Sequence, residues 1–66
     1  MRKIIIDPNI CNGAATIEGT RITVRTVLEF LAAGDSVDEV LEEYPSLVVE
    51  DVKACIEYGA RLIRGG

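Results

Sequence analysis

Histidine is absent from this sequence, and cysteine occurs only twice. Without histidine there is no side chain whose ordinary pKa lies near neutrality. Nothing completes a zinc site around Cys11 and Cys55, which form no CxxC pair. Two isolated cysteines in a reducing compartment are expected as small buried residues, and a disulfide between them is disfavoured. No apolar run approaches the roughly 18 residues of a membrane span. Asp7-Pro8 also ends the apolar run of Ile4-Ile5-Ile6 far short of a signal-peptide core. The expected location is therefore the cytoplasm. No serine or cysteine stands at a readable spacing from a base, so no catalytic residue, cofactor or metal is expected, short of a lysine brought alongside in the fold.

What is present is apolar and acidic. The 66 residues are 48% apolar. A chain of this size buries only about 60% of its unfolded surface and is marginal alone. That excess of apolar residues predicts burial against a second copy or another protein. The net charge is −4, which argues against a general nucleic-acid coat protein. The charge is also segregated. Residues 26–51 carry eight acidic groups and no basic one, whereas residues 1–25 and 52–66 are each +2. A basic patch is thus available if the two ends meet in space.

The organising stretch is residues 34–51. Gly34 suits the left-handed position that closes a helix. Ser36 with Glu39 makes a capping box for the next one. Val37, Val40, Leu41 and Tyr44 fall at i, i+3, i+4 and i+7, giving a short helix with one apolar face. Pro45 disfavours helical geometry at Tyr44 and ends it. After a break over Pro45 to Val48, a third helix begins at Val49. Two helices joined by so short a turn are a helix-turn-helix.

Upstream, Ile4-Ile5-Ile6 without alternation predicts a strand covered on both faces, closed by the turn Asp7-Pro8-Asn9. Ala15-Thr16-Ile17 and Arg21-Ile22-Thr23 flank Gly19 as a tight hairpin, so residues 3–23 hold two or three short strands. Asn12-Gly13-Ala14-Ala15 lacks the Gly-Lys-Ser/Thr ending of a phosphate loop. Thr23 is a fitting N-cap for a first helix whose stripe is Val24, Val27, Leu28 and Leu31, with Arg25, Thr26 and Glu29 outward. Phe30, the only phenylalanine, is expected in the core or a dimer contact rather than a ligand site. The third helix runs from about Val49 to Arg64. Val52, Cys55, Ile56, Gly59, Leu62 and Ile63 are placed on its buried side, a stripe wide enough for two neighbours. Lys53, Glu57, Arg61 and Arg64 form the opposite face, and Glu57–Arg61 is a favourable i,i+4 pair. The plainer view of those charges is a solvated helix surface. Arg64-Gly65-Gly66 directly follows that helix, so it is a helix stop rather than a ubiquitin-like modifier tail. The fold class expected is mainly α: a three-helix, homeodomain-like helix-turn-helix bundle over 24–66 with a short N-terminal β segment over 1–23, forming one domain.

Ile6-Asp7-Pro8-Asn9-Ile10, Gly13, Ile17 through Val24, Leu31 through Leu41, Tyr44-Pro45-Ser46-Leu47 and Glu50-Asp51-Val52 together resemble the domain of unknown function 433 family over nearly the whole chain. The resemblance implies a small helix-turn-helix protein regarded as an antitoxin of the VapB type. It further implies a homodimer that binds a PIN-like nuclease toxin and represses its own operon by binding operator DNA. The chain departs from the pattern where the family often has basic residues at Ala14 and Glu18, proline at Ala15 and Thr23, and threonine at Val48. Loss of that threonine cap leaves Ser46 or water to satisfy the third helix, at a cost of about 1 kcal/mol.

Two uses of this architecture compete. In a helix-turn-helix the second helix of the motif enters the major groove with its first residues on base edges. Here those residues are Glu50 and Asp51. Arg21, Arg25, Lys53, Arg61 and Arg64 are the candidate phosphate contacts, about ten in a dimer, with steep salt dependence. Alternatively the acidic block, with Asp38, Glu39, Glu42 and Glu43 as partner-binding residues, mimics nucleic acid and covers the basic cleft of a nuclease without any DNA binding. A plain dimeric scaffold that has lost its DNA function is the third possibility.

Overall fold

The computed structural model describes residues 3–65, with side chains described for 3–63. Two short strands, β1 (Ile4–Ile6) and β2 (Ala15–Ile17), precede three helices, α1 (Val24–Ala32), α2 (Val37–Glu43) and α3 (Val49–Gly65). The mainly α, helix-turn-helix architecture is as expected from the sequence.

The strands pair antiparallel, with Ile4 opposite Ile17, Ile5 opposite Thr16 and Ile6 opposite Ala15. Sheet formation differs from expectation in two ways. Residues 21–23 do not form a strand: they return to β2 through a single bridge, Thr16 to Thr23. The Ile17 N–H donates to the Ile22 carbonyl at 3.0 Å, and Gly19 turns the corner at φ +80. The other difference is that β1 is not covered on both faces, since Ile6 is 64% exposed. A two-stranded ribbon has only one body to lean on, so one side of its edge strand stays wet. Between the strands, Cys11–Gly13 makes one tight turn through left-handed backbone at all three residues.

Each helix is bounded by side chains that answer unpaired backbone groups. Thr23 caps α1 by accepting the Thr26 N–H at 3.1 Å. The Thr26 hydroxyl in turn lies 2.8 Å from that of Thr23. Thr26 is therefore partly buried, not outward. Gly34 closes α1 at φ +102, a conformation that penalises any Cβ. Ser36 and Glu39 form the expected capping box on α2.

The apolar core is Ile17, Val24, Val27, Val40, Leu47, Val52 and Cys55, all buried. Each element supplies part of this core except β1, whose Ile4 packs against its edge. Phe30 and Tyr44 meet edge to face, ring centres 5.8 Å apart, which ties the outer side of α1 to the end of α2. Gly59 lets α1 approach α3, because a Cβ there would stand 2.9 Å from Leu28 Cδ1.

The buried stripe of α3 is narrower than its sequence pattern. Val52 and Cys55 are fully buried, but Ile56, Leu62 and Ile63 are 44%, 61% and 83% exposed. The reason is length. Nine residues of α1 span about 14 Å, against about 26 Å for the 17 residues of α3 at 1.5 Å per residue. The second half of α3 has too little protein beside it to be covered.

Candidate functional site

The helix-turn-helix is built from local bonds. The Ser36 N–H donates to Glu39 Oε1 at 2.8 Å, and the Glu39 N–H donates to Ser36 Oγ at 3.2 Å. The backbone bond, then the side-chain bond, hold the Glu39 carboxyl below its ordinary pKa. The chain leaves α2 at Tyr44 and turns where the Leu47 N–H donates to the Tyr44 carbonyl at 3.0 Å. Leu47, 4% exposed, drives the turn into the core and so fixes how α3 departs.

At the start of α3 a side chain of the first turn reaches back to the N-cap backbone. The Val48 N–H donates to Asp51 Oδ2 at 3.0 Å, so Asp51 supplies the half of a capping box that valine at the N-cap position does not interfere with. Asp51 is 1% exposed and cannot meet a base edge. Of the two acidic residues expected there, Glu50 alone reaches solvent. Asp51 has a second effect. Burial first, and then the Asp51 charge, push the Cys55 thiol up to about 11, so Cys55 stays protonated and inert. Cys11 is also a free thiol, and its Sγ lies 3.4 Å from the Arg21 carbonyl.

The four acidic candidates, Asp38, Glu39, Glu42 and Glu43, are all exposed on α2. Three of them, Glu39, Glu42 and Glu43, line a concavity of about 420 Å³ together with Asp35 and Phe30. Asp35 was not among the sequence candidates. Its signal is its spacing, four residues before Glu39 and seven before Glu42, which places it in line with one face of α2. Carboxylates thus line the hollow beside one aromatic ring, and among the described residues no cation lines it. Among the described residues no grouping of acidic and sulfur side chains is arranged to hold a metal.

Two of the basic candidates, Arg25 and Arg61, are engaged in ion pairs. Arg21 is exposed in the segment leading to α1, and Lys53 is exposed on α3. Arg25 lies 3.7 Å from Glu29 and Arg61 lies 3.9 Å from Glu57. Both are solvent-facing i,i+4 pairs, worth a few tenths of a kcal/mol at most and easily exchanged for another anion. The Arg64 side chain lies outside the described residues. A second, apolar groove of about 540 Å³ runs between α1, β2 and the second half of α3, over Ala14, Val24, Leu28, Tyr58, Gly59 and Leu62, with Arg25 and Glu29 on its rim.

A family model described as "Protein of unknown function (DUF433)" matches residues 4–59. An uncharacterized protein, y4eO, of Sinorhizobium fredii is 39% identical over 59 residues, covering 88% of this chain and 27% of its own length. The crystal structure of a DUF433 member from Anabaena variabilis superposes with a TM-score of 0.84 at 38% identity, covering 88% of this chain and 57% of that one. The chain therefore spans about a quarter of the curated relative and little more than half of the solved one.

Proposed function

We propose that this chain, which belongs to the DUF433 family, is a non-catalytic, antitoxin-like cytoplasmic regulator that captures a PIN-like nuclease through the acidic face of α2. The observation that carries this is the hollow lined by Phe30, Asp35, Glu39, Glu42 and Glu43, with no cation lining it among the described residues. An exposed carboxylate cluster of this kind presents to a nuclease the charge pattern of its own substrate backbone. Opposite potentials then speed encounter and set orientation. Phe30, which lines the same hollow, supplies an apolar contact beside the carboxylates. The test is inhibition of the PIN-like nuclease of the same genome. Wild-type chain should suppress cleavage, and the double variant E42K/E43K should need at least tenfold more protein for the same suppression. Equal inhibition by both would remove α2 from the interface.

Operator binding is a second reading, favoured by the helix-turn-helix itself and by Lys53 exposed on α3. Against it stand Glu50 at the position that meets base edges and four carboxylates on the adjoining α2. If DNA is bound, the affinity should be low and fall steeply with salt. Fluorescence anisotropy with promoter-proximal DNA at about 50 mM salt, where phosphate contacts are strongest, tests this. No change in anisotropy there leaves the protein-only interaction.

A further inference from the structure

We infer that two copies of this chain pair antiparallel along α3, with Ile56 at the two-fold axis and Val49 of each copy against Ile63 of the other. Val49, Ile56 and Ile63 are spaced by seven residues and are 39%, 44% and 83% exposed. Positions seven apart on a helix drift only about 20° per step, so the three make one ridge. The ridge lies beside the core-facing side of α3, where Val52 and Cys55 are already covered, and is a separate surface from the groove under Leu28. Lys53 and Ala60, both exposed, sit four residues after Val49 and Ile56 and flank it on one side. The small side chain of Ala60 leaves room for a second helix.

The occupant is set by the ridge's own symmetry and charge. Three equally spaced apolar residues are self-complementary when the helix is turned end for end about the middle one, which is what a two-fold interface requires. In that register Lys53 comes within one turn of Glu57 of the second copy, twice by symmetry. The acidic first turn at Glu50 also lies toward the Arg61 end of the other helix. The opposed macrodipoles are mutually favourable. A parallel pairing would set acidic start beside acidic start. A basic partner of another kind finds little to hold here, because the ridge carries no carboxylate. The inference is independent of what the acidic face of α2 binds, since those residues take no part in the seam.

The experiment uses the full chain. Sedimentation equilibrium from about 10 to 500 μM, the range expected for a short seam, should show a dimer. Ile56→Glu and Ile63→Glu should each weaken it at least tenfold. Both positions are solvent-exposed, so unchanged far-ultraviolet dichroism checks that the fold persists. Orientation is read by cross-linking in a Cys11→Ser background. Ile56→Cys should form a covalent dimer on oxidation. Val49→Cys alone should not, but should couple to Ile63→Cys when the two are mixed. A monomer throughout the range, a dimer indifferent to Ile56→Glu, or self-coupling of Val49→Cys would each overturn the assignment.

Discussion

Replacing Asp51 by alanine separates a structural role from a DNA-contacting one at the head of α3. In the folded chain the carboxylate is 1% exposed and accepts the Val48 N–H at 3.0 Å. A charge-assisted bond to a helix-start amide contributes about 1–2 kcal/mol. Because Val48 is 53% exposed, water can replace the carboxylate at its N–H, which keeps the contribution of this bond within that range. A domain of this size has a total stability of about 3–10 kcal/mol, so the cap is a sizeable share. The expected fall in Tm is about 4–16 °C, at 4–8 °C per kcal/mol for a small domain. Asp51→Asn keeps the shape and an acceptor and should lose about half as much. Thermal unfolding followed by dichroism gives the first readout. The second is the Cys55 thiol, which burial and then Asp51 push up to about 11. In Asp51→Asn its pKa should drop partway toward the ordinary value, with burial still holding it high. A Tm within about 2 °C of wild type for Asp51→Ala, roughly 0.5 kcal/mol or less, would refute the capping role.

Two further substitutions report on the core. Thr16 is fully buried and its hydroxyl has no hydrogen-bond partner among the described residues, so Thr16→Val should stabilise by about 1 kcal/mol and raise Tm. Urea unfolding with an unchanged or lower midpoint would contradict that. For Cys55, burial first and then the Asp51 charge push the thiol up to about 11, above its ordinary value of 9.0. A group whose pKa is raised on folding contributes stability that is intact below its unfolded pKa and is lost as pH rises through the folded one. Wild-type Tm should therefore decline more steeply between those two values than that of Cys55→Ala. A disulfide-exchange reagent near neutrality should modify Cys11 and spare Cys55 until the chain unfolds.

What was legible in the sequence were signals confined to a few neighbouring residues. Thr23, Gly34 and the Ser36/Glu39 pair specify their caps without help from the rest of the chain, and the structure has them as read. Tyr44-Pro45 likewise ends α2 where expected. Features that depend on the relative length of two elements were not legible. Ile56, Leu62 and Ile63 share the apolar periodicity of Val52 and Cys55, and only the shortness of α1 leaves them in solvent. The same holds for Ile6, whose exposure follows from β1 lacking a second neighbour. Asp51 departs from expectation for a different reason. A carboxylate in the first turn satisfies the helix dipole equally well from outside or inside, and its burial follows from how Leu47 drives the turn. The acidic hollow was half legible. The exposed carboxylates of α2 follow from its apolar stripe, but the convergence of Asp35 and Phe30 on them needs the angle between α1 and α2.

The most direct measurement of the central claim is a calorimetric titration of the PIN-like nuclease of the same genome with wild-type chain and with E42K/E43K, near 0.15 M salt where exposed charges are still felt over about 8 Å. Saturable binding by wild type, weakened at least tenfold (about 1.4 kcal/mol) in the variant, is the predicted result. Equal affinity for both, or no heat with either, would contradict capture through α2.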